Sequence, residues 1–278
     1  MKVVSYYSRR AQALTSQRAR SPKPTAPYFR YKPLVARLIG VLLLPFAAIA
    51  IVFFGILVCL TSKGPAIYRQ KRVGRGGRLF VMYKLRTMRH DAEVNSGPVW
   101  AERDDPRVTS IGKFLRRFHL DELPQVVNVL QGDMDLVGPR PERPEFTQEL
   151  ARRVPRYLER SHVLPGVTGL AQINLPPDSD LKSVQRKLSL DLMYLRTATF
   201  WLDLRLFLAT LLGMFGLKSA FRARMLYVAR QPCDLEFVEY EPTPCREWHI
   251  VPRLDHQSIG ATTDVAGSSL DETASRTA

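Results

Sequence analysis

Residues 38–62, LIGVLLLPFAAIAIVFFGILVCLTS, carry no charged side chain, and this run limits the possible folds more than any other feature of the chain. As a straight helix it would reach about 37 Å, enough to cross a hydrocarbon core of about 30 Å. A buried helix in a soluble protein keeps a polar face, and this segment has none. Its length, and the basic stretch ahead of it, argue against a cleaved signal peptide. Two topologies stay open. Arg30, Lys32 and Arg37 precede the run, and Lys63, Arg69, Lys71 and Arg72 follow it. Positive residues accumulate on the cytoplasmic side, so a single crossing would send one of these clusters the wrong way. A re-entrant segment keeps both inside. Pro45, a third of the way along, lacks an N–H and would bend or break the helix there. Charge and proline favour re-entry over a spanning helix that tolerates its proline.

The charge balance points the same way. Of the 41 Lys and Arg, 18 fall in residues 1–90, where no Asp or Glu occurs; the other 23 face 26 acids over 91–278. The net charge of +15 therefore belongs to the first third. Such a block suits a polyanion, either nucleic acid or an anionic membrane surface, and the apolar run beside it selects the membrane. A nucleic-acid partner is not expected, because no recognition helix is evident. Cys59, Cys233 and Cys245 match no metal or redox spacing and suit a reducing compartment.

The expected fold class is α+β and mainly helical. Residues 1–30 read as a disordered basic tail, 31–63 as the membrane segment, 64–221 as a catalytic domain, and 222–278 as a polar extension disordered towards its end. Two short strands are expected at residues 66–70 and 79–85 around the Gly74/Gly76/Gly77 turn. Helices are expected at 111–117 after a Ser110 cap, from Pro124 to a stop at Gly132, at 146–157, and at 184–195. Residues 200–217 are apolar but carry Asp203 and Arg205. An amphipathic helix in the membrane interface and a core helix suit that pattern equally.

Four segments exceed what packing requires. Arg69 to Arg89 forms a basic loop and strand with Lys84 and Arg86, able to hold phosphate, although its GRGG turn is not a Walker loop. Asp121-Glu122 precede a helix-opening proline, where carboxylates serve as caps or, beside Arg116 and Arg117, as a nucleophile screened by cations. In Gly138-Pro139-Arg140-Pro141 two prolines would present one guanidinium rigidly; a plain turn is the alternative. Residues 165–174, PGVTGLAQIN, form a Gly-punctuated loop of unread role.

Together these segments closely resemble the bacterial sugar transferase family, the monotopic polyprenyl-phosphate phosphoglycosyl transferases. The resemblance rests on QKRVGRGGRLFVMYKLRTM, on LDELPQ…NVL…GDM…LVGPRP, and on PGVTGLAQIN with RKLSLDLMYL. It covers about residues 37–217. It implies transfer of sugar 1-phosphate from a UDP-sugar to undecaprenyl phosphate, releasing UMP, as the initiating step of exopolysaccharide, capsule or O-antigen synthesis. Asp121 would be the nucleophile that carries a covalent phosphosugar, and Glu122 would hold Mg²⁺. Arg116, Arg140 and Lys84 would meet phosphate or nucleotide, with Arg86, Pro139 and Pro141 in the same substrate-binding motifs. The enzyme would be monotopic on the cytoplasmic face of the bacterial inner membrane, in contact with lipid, with a homodimer left open. The chain departs from the family pattern in lacking an acid at the start of the membrane helix, in GDMDL (Asp135) for GDMSL, and in GLAQ (Leu170) for GWAQ. A non-catalytic scaffold for polysaccharide assembly is the competing class, and the intact LDE and GPRP segments speak against it.

Overall fold

The computed structural model describes residues 27–90, 92, 105–178 and 180–232. The basic tail ahead of residue 27 and the extension beyond residue 232, with Cys233 and Cys245, lie outside the described residues. Within them the protein is mainly helical, with two small sheets and one long apolar helix near the N-terminus.

That helix, α1, runs unbroken over Lys32–Thr61 with Pro45 inside it. Of the bend or break expected at the proline, the break is corrected: the helix is not interrupted there. One missing N–H removes one hydrogen bond, and the turns on either side hold the helix together. Its buried positions include Ala36, Gly40, Ala47, Gly55 and Val58, one stripe of mostly small residues, while Leu38, Leu42, Phe46, Ile49, Val52 and Leu60 stand exposed. The stripe rests on the rest of the protein at both ends. Near the N-terminal end Ala36 joins Phe80, Met82, Val129 and Met134; near the C-terminal end Val58 packs with Leu85 and Leu115.

Polar clamps sit at the same two places. Lys32 is 3% exposed and donates 2.5 Å to the Val137 carbonyl, pairs with Asp203 at 2.8 Å, and meets the Tyr194 hydroxyl. At the other end Arg86 donates to the Ser62 and Lys63 carbonyls at 2.8 and 2.6 Å, tying the chain that leaves the helix to the end of the hairpin.

Strands β1 (Ile67–Val73) and β2 (Leu79–Leu85) pair antiparallel, with Tyr68 opposite Lys84. The first strand thus extends three residues beyond its expected end. Buried Asn128 clips the free edge of β2: its side chain accepts from the Tyr83 amide at 3.1 Å and donates to the Val81 carbonyl at 2.7 Å. Helix α2 (Ser110–Arg117) is capped by Thr109, one residue ahead of the expected cap, whose hydroxyl accepts from the Gly112 amide at 3.0 Å. A Cβ on Gly112 would lie 2.0 Å from the Thr87 carbonyl oxygen, so only glycine lets α2 seat against the end of the hairpin. Helix α3 (Gln125–Gln131) follows Pro124 and stops at Gly132 in the left-handed conformation, as expected from sequence.

The second sheet was not expected. Strands β3 (Asp135–Val137) and β4 (Gly166–Thr168) pair parallel, and the segment read as a loop becomes β4 followed by helix α5 (Leu170–Asn174). Both strands are only three residues long, too short for alternation to register. A Cβ on Gly166 would fall 2.0 Å from the Gly138 amide nitrogen, which explains the glycine. Helix α4 (Pro144–Arg153) ends earlier than expected and gives way to a 3₁₀ turn, Tyr157–His162. Helix α6 (Leu181–Thr197) buries the expected leucine stripe, Leu188, Leu192 and Leu195.

Helix α7 (Phe200–Met214) combines the two readings of its sequence. Asp203, Leu206 and Ala209 face the core, and Phe200, Trp201, Leu208 and Leu211 face outward. Helix α8 (Ser219–Met225) adds exposed Phe221 and Met225.

Candidate active site

The site forms where β2, the end of α2 and the segment after β3 converge. After α2 the chain reverses through His119, whose φ of +54° is in the left-handed region, and enters the 3₁₀ turn Leu120–Glu122. Leu120 packs against the cluster of Val58, Leu85 and Leu115, which anchors the turn.

Glu122 is fully engaged. Its Oε1 accepts from Lys84 Nζ at 2.7 Å and from Arg140 NH2 at 2.6 Å, while Oε2 receives Arg140 NH1 at 3.4 Å. Burial pushes its carboxyl up, but Arg140 and Lys84 together outweigh that and hold it well below the ordinary carboxylate range. Asp121 is the opposite case. It is 7% exposed, and its carboxylate forms no hydrogen bond or ion pair among the described residues. Burial is the largest influence on it and raises its pKa above the ordinary value, against the pull of Lys84, Arg140 and Arg116. An anion with nearby cations and no fixed hydrogen bond keeps its lone pairs available for a phosphorus atom.

Arg116 donates from Nε to the Thr87 hydroxyl at 2.9 Å, which aims it along the hairpin end towards Asp121. Of the residues expected from sequence, Asp121, Glu122, Lys84, Arg116 and Arg140 come together. Arg86 does not join them; its terminal nitrogens are committed to the end of α1. Pro139 and Pro141 are buried, and their carbonyls accept from the Gly166 amide and from Arg72 NH1, both at 3.0 Å. They fix the backbone that carries Arg140.

Sequence reasoning missed Thr87 and Asn128, which orient Arg116 and the edge of β2. It also missed a charged cluster beneath the Gly138–Pro141 segment, residues 138–141. There Glu142 meets Lys187 at 2.5 Å, and Arg160 at 3.7 Å, while Arg160 meets Asp191 at 2.8 Å. Lys187 and Asp191 share one face of α6 at i and i+4, the only signal the sequence offered.

No group of three or more His, Cys, Asp or Glu able to hold a metal occurs among the described residues. Asp121 and Glu122 offer two consecutive carboxylates, and Glu122 Oε2 has only the long 3.4 Å contact. That donor set fits Mg²⁺ where a diphosphate supplies the remaining oxygens, since Mg²⁺ is commonly held by one or two carboxylates plus substrate phosphates.

Three cations thus surround two carboxylates, one of them without an ion pair among the described residues, in a protein that carries one long apolar helix. The chain belongs to the bacterial sugar transferase family, whose model matches residues 28–216. It is 51% identical over 136 residues to a Bacillus subtilis (strain 168) protein assigned provisionally as an undecaprenyl-phosphate N-acetylgalactosaminyl 1-phosphate transferase, covering 49% of this chain and 75% of that one. It is 39% identical over 166 residues to a UDP-glucose:undecaprenyl-phosphate glucose-1-phosphate transferase of Xanthomonas campestris pv. campestris, covering 59% of this chain and 34% of the other. To a UDP-N-acetylgalactosamine-undecaprenyl-phosphate N-acetylgalactosaminephosphotransferase of Aeromonas hydrophila it is 37% identical over 174 residues, or 63% of this chain and 41% of that one. The chain thus spans well under half the length of the last two relatives.

Proposed function

We propose that this protein transfers sugar 1-phosphate from a UDP-sugar to undecaprenyl phosphate, as the initiating step of a bacterial polysaccharide. The observation that carries this reading is the contrast at the dyad: Glu122 is pinned by Lys84 and Arg140, and Asp121 beside it has no hydrogen-bond or ion-pair partner among the described residues. An Asp121 carboxylate oxygen attacks the phosphorus that bears the sugar. The bond from that phosphorus to the bridging oxygen breaks, UMP leaves with the electron pair, and a phosphosugar stays on Asp121. A phosphate oxygen of undecaprenyl phosphate then attacks the same phosphorus and displaces the Asp121 carboxylate, which yields the diphosphate-linked lipid. Lys84, Arg116 and Arg140 hold phosphate oxygens through both steps. Glu122 would hold Mg²⁺ together with the donor diphosphate, and the ion would supply charge neutralisation there.

The membrane arrangement follows from α1. A helix that crossed the bilayer would touch a single domain with one end, whereas both ends of α1 are clamped, at Lys32 and at Arg86. This supports a re-entrant helix with both basic flanks on the cytoplasmic face of the inner membrane. The exposed aromatic residues of α7 and α8 suit contact with the same lipid surface. A lipid phosphate and a soluble nucleotide sugar could then meet at Asp121.

The relatives' names give glucose, N-acetylgalactosamine or galactose as the sugar, so the sugar is left to experiment. UMP release measured over a panel of UDP-sugars, with undecaprenyl phosphate and Mg²⁺, tests the reading. Release with at least one donor, dependent on the lipid for multiple turnovers, is expected. Release with none would overturn it.

A further inference from the structure

The charged cluster beneath residues 138–141 has no place in the chemistry above, yet it is organised around the residue that pins Glu122. Arg160 is 6% exposed, and each nitrogen of its guanidinium has an acceptor. Nε donates to Asp191 Oδ2 at 2.9 Å, NH1 to the Tyr157 hydroxyl at 3.0 Å, and NH2 to the carbonyl of Arg140 at 2.9 Å. The neighbouring carbonyls are tied as well: Pro139 by the Gly166 amide at 3.0 Å, Pro141 by Arg72 at 3.0 Å, and Glu142 by the Val73 amide at 2.9 Å. Four successive carbonyls thus each accept a bond, and two of the four residues have φ fixed by a proline ring.

We propose that Arg160, held by Asp191, is a positioning residue that fixes the backbone of Arg140 and so sets its guanidinium against Glu122. The inference deepens the functional reading above and rests on it. Among the described residues, Arg160 is the one whose side chain bonds the Arg140 carbonyl itself. Through Asp191 it ties that carbonyl to α6, a seventeen-residue helix packed into the main core, so the reference point is rigid. The planar fork is needed, because a lysine ammonium has no flat array of donors to reach Asp191, Tyr157 and the carbonyl together. From this fixed backbone the Arg140 side chain reaches forward to Glu122 at 2.6 Å. A displacement of about 1 Å at such a group costs on the order of 100-fold in rate.

A buried ion pair is also a plain stabilising feature, so the test must separate position from stability. Arg160→Lys keeps the charge and loses the fork. It is made in the wild-type and in the Arg140→Met background, full-length and membrane-reconstituted, and sugar-phosphate transfer is measured with the donor that the panel identifies. The expected result is a fall in kcat on the order of 10- to 100-fold in the wild-type background, and less than about threefold once Arg140 is gone, because residues that act through one group are not additive. Equal losses in both backgrounds would overturn the proposal. If Arg160→Lys does not fold, Asp191→Asn takes its place in the same cycle with the same criteria.

Hydrogen exchange in peptides covering residues 138–142 gives a readout independent of turnover. Faster exchange there in Arg160→Lys, with exchange across the α1 peptides unchanged, is expected; no change would overturn the proposal. A wild-type protein inactive with every UDP-sugar would remove the functional reading, and the exchange result would still decide the positioning role.

Discussion

Two charged clusters lie on opposite sides of the segment that carries Arg140, and their electrical balance differs. Beneath it, Arg72, Arg160 and Lys187 face Glu142, Asp178 and Asp191, and each of the three carboxylates sits in at least one ion pair. Glu142 is accordingly held down to about 2; burial alone would raise it, but Lys187, Arg160 and Arg72 prevail. In front of it, Lys84, Arg116 and Arg140 face Asp121 and Glu122, with the Arg107–Asp105 pair beside Arg116, and Asp121 has no ion pair among the described residues. The rear cluster is balanced and complete, which suits a support. The front cluster has one cation in excess and one acid unengaged, which suits a site that waits for a phosphate anion.

The largest expected effect tests the unpaired acid. Asp121→Asn keeps shape and removes the nucleophile, and transfer should fall by about 10⁴-fold or more, read as lipid-linked product. Folding should be intact, since the carboxylate makes no hydrogen bond or ion pair among the described residues that the amide would lose.

Breaking a completed cluster should instead cost stability. Lys32→Met leaves buried Asp203 with only the Tyr28 and Tyr194 hydroxyls, at 3.0 and 2.7 Å. A loss of about 3–5 kcal/mol is expected, read as a lowered Tm in a fixed detergent. Lys32→Met with Asp203→Leu should recover part of it, because no unpaired charge remains.

Arg140→Met joins the two clusters, and a fall in kcat of about 10²–10³-fold is expected with a smaller change in Tm.

The smallest effect concerns Asp135. Burial raises its carboxyl to about 6, partly opposed by Lys32 and reinforced by Asp203. The folded state therefore holds a proton that the unfolded chain gives up near pH 4. Its contribution is complete below that value and is lost as pH rises through about 6. Asp135→Asn should flatten the fall in stability between pH 4.5 and 7 by roughly 1.4 kcal/mol per pH unit at most, read as a shallower fall in Tm. An unchanged pH slope would remove Asp135 from the account.

Much of the front cluster was legible in the chain. Asp121, Glu122, Arg116, Lys84 and Arg140 stand in short motifs, and motif order alone grouped them. The apolar run and the basic residues flanking it also gave the character of α1. The rear cluster was not legible, because Arg72, Arg160, Lys187 and Asp191 look like ordinary surface charges until folding brings β1, the 157–162 turn and α6 together. The place of Arg86 was not legible for the same reason: it sits two residues from Lys84, and strand alternation alone would put both on one face. The chain leaves β2 at Leu85, however, and Arg86 turns to the end of α1. Strands β3 and β4 escaped notice because three-residue strands in parallel pairing carry no periodic pattern.

The central claim is that the unengaged carboxylate of Asp121 becomes covalently bonded to phosphorus. Intact-mass and peptide mass spectrometry of the protein incubated with its UDP-sugar donor and Mg²⁺, without lipid acceptor, addresses it directly. A mass increase of one sugar phosphate on the peptide that contains Asp121, absent in Asp121→Asn and discharged by undecaprenyl phosphate, is the predicted result. Wild-type rates of transfer by Asp121→Asn, or the same adduct on a different residue, would contradict it.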